Sequence, residues 1–351
     1  MKYSFPKLIE TLAAGKGLVL ATIVDTEGST PQVPGASAIF SAAGLEAGTV
    51  GGGFLEARVE AIAKETLRDG KARLASFRLD ADPADAEGAI CGGSAKVLID
   101  PNAGGERGVF ESALDGFRKR RPGVLVTRIF AGQRDFVSVE RGWLPAGSRA
   151  LPGDPVLTDV GPDVLDGVLE SGRPRLVGGG ERMTFVEPVL PLPRLIVAGA
   201  GHVGRAVARL GKLLDFSVTV IDDRAEFANA GNVPEADEIV VGEIGESVRK
   251  VEDSPDNYFV IVTRGHRKDA EALRAALGRP AAYIGMIGSR GKIEIIHCEF
   301  LESGWATAEE WAKVHAPIGI EIGSKTVEEI AVSIAAELVL VRSDLKEKGR
   351  P

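Results

Sequence analysis

A glycine pattern between an apolar strand and a helix constrains the fold of this chain more than any other feature. The apolar run Leu195–Ala198 leads directly into Gly199–Gly204, which reads Gly-Ala-Gly-His-Val-Gly. Apolar strands then alternate with helical segments up to a final helix predicted at Val327–Val341, where Thr326 and Glu329 form a capping-box pattern. Strands that are apolar throughout and separated by helices predict a parallel sheet covered on both faces.

The same glycines predict a turn that receives phosphate, as in a Rossmann-like domain. Gly199 permits a tight turn, Gly201 lets main-chain N–H groups approach a phosphate, and Gly204 lets the helix pack close to the sheet. Asp222 ends the next strand, where it would accept hydrogen bonds from a ribose diol. Its carboxylate would repel a 2′-phosphate, although the nearby Arg224 leaves binding of such a phosphate open. We expect a valine at Gly201 to disrupt phosphate approach, because it would resist a positive φ and crowd the loop. The candidate cofactor-binding residues here are Gly199, Gly201, His202, Gly204 and Asp222.

Two interpretations of this pattern stay open. The domain binds a dinucleotide or another nucleotide, or it keeps the Rossmann-like fold without that activity.

Three prolines mark the boundary of this domain. Pro188, Pro191 and Pro193 fall close together and favour an extended connector. We therefore predict an N-terminal domain over residues 1–187, a connector over 188–193 and a Rossmann-like C-terminal domain over 194–351. The first half reads as mixed α/β, with strands predicted at 17–24, 36–40, 72–79, 94–99 and 124–130 and helices at 7–14, 55–68 and 108–119.

Composition excludes several classes of protein. Hydrophobic residues make up 44% and charged residues 26% of the 351 residues, which suits ordinary globular cores. The net charge of −8 offers no basic surface for nucleic acid. No run approaches the ~18 apolar residues of a membrane span, and Cys91 and Cys298 are too few for a disulfide framework. We expect a cytoplasmic protein that binds neither nucleic acid nor membrane.

Two loops that follow neighbouring strands of the second half carry basic residues. In an open parallel sheet, ligands bind at the strand ends that lead into the helices. Loops 263–269 and 288–292 there predict an anionic ligand such as a phosphate or a pterin, unless their charges are merely solvated. His266 is either a general base or a loop histidine that bonds to the backbone. The candidate residues are Arg264, His266, Ser289, Arg290 and Lys292.

Glycines in the first half predict a second place for an anion. Gly51, Gly52 and Gly53 precede a predicted helix and offer a nest of N–H groups, or else only a tight turn from strand to helix. Ser29 and Thr30 would donate to the same anion or cap a turn.

Cys91 is followed by Gly92 and Gly93, which leave its thiol unhindered. It is a candidate soft ligand or sulfur carrier, with a small apolar core residue as the alternative. The absence of a C-x-x-C pattern disfavours zinc, and Cys298 falls inside a helical stretch.

Taken in order, these motifs resemble the xanthine dehydrogenase accessory factor family, also called XdhC/CoxI. The resemblance covers most of the chain, and the ordered set is far more specific than any single glycine motif. The matching segments are Gly28–Pro31 with Pro34–Gly35, Gly48–Gly53 with Leu55–Glu56, Cys91–Gly93, Gly199–Gly204, Ile221–Arg224, Thr263–His266 with Asp269, Ile284–Lys292, and Ala316–Gly323 with Glu328–Ala331.

The resemblance implies a chaperone for molybdenum cofactor. Such a protein holds the cofactor, assists its sulfuration and passes it to a xanthine dehydrogenase-type molybdenum hydroxylase, working with a cysteine desulfurase and often as a homodimer. It implies phosphate contacts at the glycine turns, charge offset by Arg264, Arg290 and Lys292, and contact of Cys91 with molybdenum or transferable sulfur. Phe54 and Ile90 stand where some relatives carry cysteines, so a two-thiol relay is not expected.

Two other functions stay open. One is an NAD(P)-dependent oxidoreductase, with His266 or Lys292 as the proton donor. The other is a nucleotide-binding adaptor without molybdenum.

Overall fold

The computed structural model describes Lys7, Glu10 and residues 17–79, 92–148 and 160–347. The chain divides into two compact units, of which unit 1 runs to Pro191 and unit 2 begins at Leu192. Of the predicted connector, 188–189 belong to a strand that ends at Val189. The predicted helix at 7–14 lies outside the described residues except for Lys7 and Glu10, which are helical. No described helix is long and apolar enough to cross a membrane.

Unit 1 contains two antiparallel sheets. The first has the strand order β3-β2-β1-β5-β4 and the second the order β7-β6-β9-β8. The elements are β1 Val19–Glu27, β2 Ser37–Ser41, β3 Gly44–Gly48, α1 Gly53–Asp69, β4 Arg73–Arg78, β5 Ser94–Asp100, α2 Arg107–Arg118, β6 Gly123–Ala131, β7 Val137–Pro145, α3 Pro162–Ser171, β8 Arg175–Gly179 and β9 Arg182–Val189.

Helix α1 covers the five-stranded sheet. Its buried positions Leu55, Val59 and Ala63 are four residues apart and therefore share one face of the helix. They pack in one core with residues of β2 and β5. The helix ends at Gly70, whose left-handed conformation closes the last turn.

Unit 2 is built on a six-stranded parallel sheet. Its strand order, β12-β11-β10-β13-β14-β15, is that of a Rossmann domain, with the chain reversing between β10 and β13. The elements are β10 Arg194–Ala198, α4 His202–Leu213, β11 Ser217–Asp222, β12 Glu238–Val241, α5 Ile244–Lys250, β13 Asn257–Ile261, α6 His266–Ala276, β14 Tyr283–Met286, α7 Arg290–Glu302, α8 Ala308–Trp311, β15 Val314–His315 and α9 Val327–Glu347.

Apolar side chains of β10 and β13 are buried on both faces of this sheet. Leu195 and Val260 belong to one core cluster, whereas Ile196 and Ile261 belong to the other. This two-sided burial explains why the strands read as continuous apolar runs. The predicted fold class, mixed α/β followed by a parallel Rossmann-like sheet, is confirmed.

Candidate functional site

At two positions of the pattern 199–204, any side chain would clash with main-chain atoms, so glycine is required. Gly199 has a φ of +117°, and a Cβ built on it would lie 2.5 Å from the carbonyl oxygen of Val262. A Cβ on Gly204 would lie only 1.7 Å from the carbonyl oxygen of Gly199. The tight turn and the close packing of helix on sheet that the sequence predicted are both present.

Gly201 differs from these two. Its φ is −72° and its ψ −171°, so the positive φ that we expected from the sequence is wrong. Nothing lies within 4 Å of an added Cβ, and no side chain among the described residues caps α4, which starts after Gly201. His202 is exposed at the first position of this helix. Open space at an uncapped helix N-terminus is suited to an anion.

Glycines also open α1 and α6 without a capping side chain. The residues that precede these helices are Gly52, with a φ of +68°, and Gly265, with a φ of +89°, and nothing lies within 4 Å of an added Cβ on either. Gly53, with a φ of +52°, is equally open. By contrast, α5, α7 and α8 are capped by the side chains of Glu243, Ser289 and Thr307.

The capping-box pattern predicted at the start of α9 is present. The main-chain N–H of Thr326 donates to the carboxylate of Glu329 (2.9 Å), and the N–H of Glu329 donates to Oγ1 of Thr326 (3.3 Å). Because Ser289 likewise caps its own helix at 3.3 Å, its hydroxyl has a structural partner.

In unit 1 the structure brings three sequence motifs together. A Cβ on Gly51 would lie 2.7 Å from Cγ of Pro31, and one on Gly28 would lie 3.1 Å from the carbonyl oxygen of Gly92. A Cβ on Gly93 would lie 2.4 Å from the carbonyl oxygen of Ser29. The segment 28–31 therefore contacts both the triple-glycine turn and the Gly-Gly pair.

The two hydroxyl residues of that segment differ in their environment. Ser29 is exposed beside the Gly-Gly pair, whereas Oγ1 of Thr30 donates to the carbonyl oxygen of Gln32 at 2.7 Å. Thr30 thus stabilises a turn, the structural alternative that the sequence left open. Cys91 lies outside the described residues, and Cys298 is exposed on α7.

Lys292 is bound to a buried carboxylate. Its Nζ donates to Asp269, which is completely buried, and to the carbonyl oxygen of Ile287 at 3.2 Å. Asp269 also accepts from the N–H (3.0 Å) and the hydroxyl (2.7 Å) of Thr263. Burial raises the pKa of Asp269, against the hydrogen bonds from Lys292 and Thr263. Lys292 therefore ties loop 288–292 to loop 263–269, and its charge is already offset.

The other basic groups at this edge are more accessible. Nζ of Lys268 lies 3.0 Å from Asp223, and Arg264 lies 3.8 Å from the same carboxylate with 60% of its side chain exposed. Arg290 is exposed at the first position of α7. His266 is exposed at the first position of α6, where no described residue bonds to its side chain and holds it as a general base.

Asp222 is only 1% exposed and accepts four hydrogen bonds. Two come from the main-chain N–H groups of Ala200 (2.8 Å) and Arg224 (3.0 Å). Two more come from Nε and Nη2 of Arg224, both at 2.9 Å. Burial alone would raise the pKa of Asp222, but the hydrogen bonds from Arg224 and Ala200 outweigh it and lower that pKa. The sequence placed Asp222 correctly at the end of β11, but its pairing with Arg224 was not predicted.

Two family models match the chain in its two units. The model described as the XdhC Rossmann domain matches residues 195–338, and that of the XdhC and CoxI family matches residues 11–78. The chain belongs to the XdhC and CoxI family. The glycine turns described above fall inside the matched regions, namely Gly51–Gly53 in the first and Gly199–Gly204 in the second.

Two known proteins are similar in sequence to this XdhC family member over most of its length. The uncharacterized protein YqeB of Escherichia coli (strain K12) is 28% identical over 326 residues, which are 93% of this chain and 43% of YqeB. The chain thus spans less than half of that relative. A protein of Bacillus subtilis (strain 168), described as a probable subunit of xanthine dehydrogenase, is 26% identical over 332 residues, covering 92% of this chain and 93% of that protein.

A solved structure shares the fold of this XdhC family member. A Bacillus halodurans protein described as a xanthine dehydrogenase matches with a TM-score of 0.77, covering 97% of this chain and 96% of its own. At 23% identity this likeness shows the fold alone.

Sequence reasoning missed residues that shape the site of this XdhC family member. Arg224 and Asp269 hold Asp222 and Lys292, and both stand within matched motifs. An acid and a base two residues apart in Asp222-Asp-Arg224 were the available signal for the first pair. Across the described residues, no group of three or more His, Cys, Asp or Glu side chains is placed to hold a metal ion.

Proposed function

We propose that this protein is a xanthine dehydrogenase accessory factor that carries molybdenum cofactor as cargo. Membership of the XdhC and CoxI family supports this role, as does the similarity to a probable subunit of xanthine dehydrogenase. The observation that carries the proposal is the open, uncapped start of α4 at Gly201. The cargo ends in a phosphate, and a helix N-terminus with unoccupied N–H groups and partial positive charge attracts phosphate.

The residues of each unit would contribute separately to holding this cargo. In unit 2, the amides after Gly201 would bind phosphate, with Arg264 and Arg290 offsetting charge because both are exposed at the same sheet edge. Lys292 would act by fixing the two loops through Asp269. In unit 1, Gly52 and Gly53 offer a second open turn beside Ser29, Gly92 and Gly93.

The partners and the sulfur step follow from family resemblance. The recipient would be a xanthine dehydrogenase-type molybdenum hydroxylase, and a cysteine desulfurase would supply sulfur, with Cys91 contacting molybdenum or the transferred sulfur. The chain would act in the cytoplasm, as a homodimer. Exposed contacts such as Arg264 and Arg290 suit a carrier, because cargo held by exposed groups is released more easily than cargo in a closed site.

The oxidoreductase alternative has weaker support. It needs a proton donor at the sheet edge, and Lys292 is bound to Asp269 while His266 has no group that orients it among the described residues. The adaptor without molybdenum predicts the same hydroxylase partner and a chain free of pterin, so pterin content separates it from the carrier.

The decisive experiment measures molybdenum and pterin in protein purified without oxygen from cells that make the cofactor. We expect Gly201→Asp to lower pterin content by about tenfold, because the new carboxylate would accept the free N–H groups and repel a phosphate. Its fold should persist, since Gly201 has an ordinary φ and aspartate is a good N-cap. Cys91→Ala in the same assay tests the contact with molybdenum.

Gly161→Asp is the matched control. Gly161 also precedes a helix without a capping side chain, has a φ of −62° and is open around its Cβ, but it lies outside the motifs. Its variant should keep the full cargo. Wild-type protein without pterin or molybdenum would overturn the proposal, and full loading of Gly201→Asp would remove α4 from it.

A further inference from the structure

The carboxyl edge of the sheet in unit 2 offers a place for phosphate, but the acid at the usual ribose position has no free acceptor site. In Rossmann domains that bind NAD, the acid that ends the second strand accepts hydrogen bonds from the ribose hydroxyls. Asp222 occupies that position at the end of β11. A carboxylate has about four lone-pair sites, and Asp222 accepts four hydrogen bonds from Ala200 and Arg224.

Arg224 is itself held in place. Its guanidinium lies 3.8 Å from the centre of the Phe227 ring and keeps only 18% of its side chain exposed. The ion pair with Asp222 and the contact with the ring act on the same group, so moving Arg224 away would break both. Arg224 therefore occupies the ribose position, and its contacts with Asp222 and Phe227 hold it there.

The segment after Arg224 is bonded to the glycine turn as well. Nδ2 of Asn232 donates to the carbonyl oxygens of Phe227 (2.7 Å) and Ala200 (3.4 Å). Ala200 is thus bound through its N–H to Asp222 and through its carbonyl oxygen to Asn232. The neighbouring acid, Asp223, lies 3.0 Å from Nζ of Lys268 at the start of α6. Of the three glycines of this turn, Gly201 keeps open space around its Cβ position.

We infer that this edge recognises its ligand through a phosphate, as in a pterin phosphate, and excludes the adenosine half of NAD(H). The choice of a pterin phosphate rests on the proposed function. The exclusion itself rests on Asp222 and Arg224 alone. The Rossmann fold of unit 2 therefore serves a ligand other than NAD(H).

Titration of the full chain with NADH, followed by nucleotide fluorescence, tests this exclusion. Wild type should show no saturable binding. Arg224→Ala frees acceptor sites on Asp222, so NADH affinity should rise by about tenfold or more. Adding Asp222→Asn to that variant should abolish the gain, because a carboxylate is the stronger acceptor for the diol.

Arg267→Ala is the charge-matched control. Arg267 lies at the start of α6, and 88% of its side chain is exposed. Its ion-pair partner is Glu271, at 3.6 Å, and not Asp222. It should give no gain in NADH affinity. Arg224→Lys keeps the charge with a single donor group and serves if the alanine variant is unfolded by circular dichroism.

Saturable binding of NADH to wild type, or no gain in the folded Arg224 variants, would overturn the inference. The pterin content of the same wild-type preparation separates the two proposals. Protein that carries pterin and also binds NADH refutes the exclusion alone. Protein that lacks pterin and binds no NADH refutes the carrier function alone.

Discussion

The glycine turns of the two units leave helix N-termini open by different means. In unit 1, Gly51, Gly52 and Gly53 have φ values of +124°, +68° and +52°, which other residues rarely adopt. In unit 2, Gly201 has an ordinary φ, and Gly204 is required because a Cβ would meet the carbonyl oxygen of Gly199. Glycine is thus required by backbone conformation at Gly52 and Gly53 in unit 1 and by packing at Gly204 in unit 2.

The two units also differ in the hydrogen-bond partners of their buried carboxyl groups. Asp222 and Asp269 in unit 2 are bonded to Arg224 and Lys292. In unit 1, Glu187 is 3% exposed, and its Oε2 has no hydrogen-bond partner among the described residues. Burial raises the pKa of Glu187 to about 7, although the positive charge of Arg141 lowers it. Unit 2 pairs its two buried aspartates, whereas unit 1 pairs Asp100 with Arg141 and also holds Glu187, a buried acid whose pKa is raised.

The largest expected effect comes from a serine at Gly204. Its Cβ would lie 1.7 Å from the carbonyl oxygen of Gly199, and a backbone atom cannot yield as a flexible side chain can. We expect Gly204→Ser to lower the free energy of unfolding by about 3 kcal/mol or more, measured by urea denaturation. Gly201→Ser is the control, with a change of roughly 0.5 kcal/mol or less. Equal stability of the two variants would contradict the packing role of Gly204.

A pH series on Glu187→Gln tests the contrast between the buried acids. The folded carboxyl has a pKa of about 7 against an ordinary value of 4.5, so the folded state binds the proton more tightly. The stability it supports is fully present below pH 4.5 and is lost as the pH rises to about 7. At pH 8 the glutamine variant should therefore be more stable than wild type by about 3 kcal/mol.

The two proteins should converge in stability near pH 4, where the wild-type carboxyl is protonated. Urea denaturation at a series of pH values measures both curves. Parallel curves for wild type and Glu187→Gln would show that this carboxyl does not titrate in the folded core.

A smaller effect is expected from a serine at Gly52. Its φ of +68° and ψ of −174° lie in a region that is nearly confined to glycine. We expect Gly52→Ser to lower the free energy of unfolding by about 2 kcal/mol, since strain of this kind costs ~1–3 kcal/mol. Gly161→Ser replaces a glycine at the same helix position with a φ of −62° and should change little. A loss shared by both variants would point to capping rather than to φ.

The fold followed from the sequence where burial is periodic. The sequence predicts strands at 195–198, 217–221 and 258–263 and a helix at 202–214. The strands β10, β11 and β13 and the helix α4 lie within one or two residues of these bounds. The short strands β3 and β15 and the helix α5 were not predicted. Of α7, only a helical stretch around Cys298 was predicted, because the helix buries only Ile293, Ile296 and Phe300 and its apolar pattern is weak.

The candidate site was predicted in its location and only partly in its chemistry. Arg264, Arg290 and the open turn at Gly201 lie where the sequence placed them, at helix starts on the carboxyl edge of the sheet. The roles expected of Asp222 and Lys292 depended on free atoms, and those atoms already have partners in the fold.

The sequence by itself determined the two-part α/β architecture, the family and the glycine turns, because strand burial and turn glycines are local properties that repeat along the chain. Only the tertiary structure decided which charges remain available. Asp269 and Lys292 are 23 residues apart in sequence and bonded in space, as Asp222 and Ala200 are across 22 residues. These hydrogen bonds form because folding brings distant loops together. A local sequence pattern carries no information on which loops will meet.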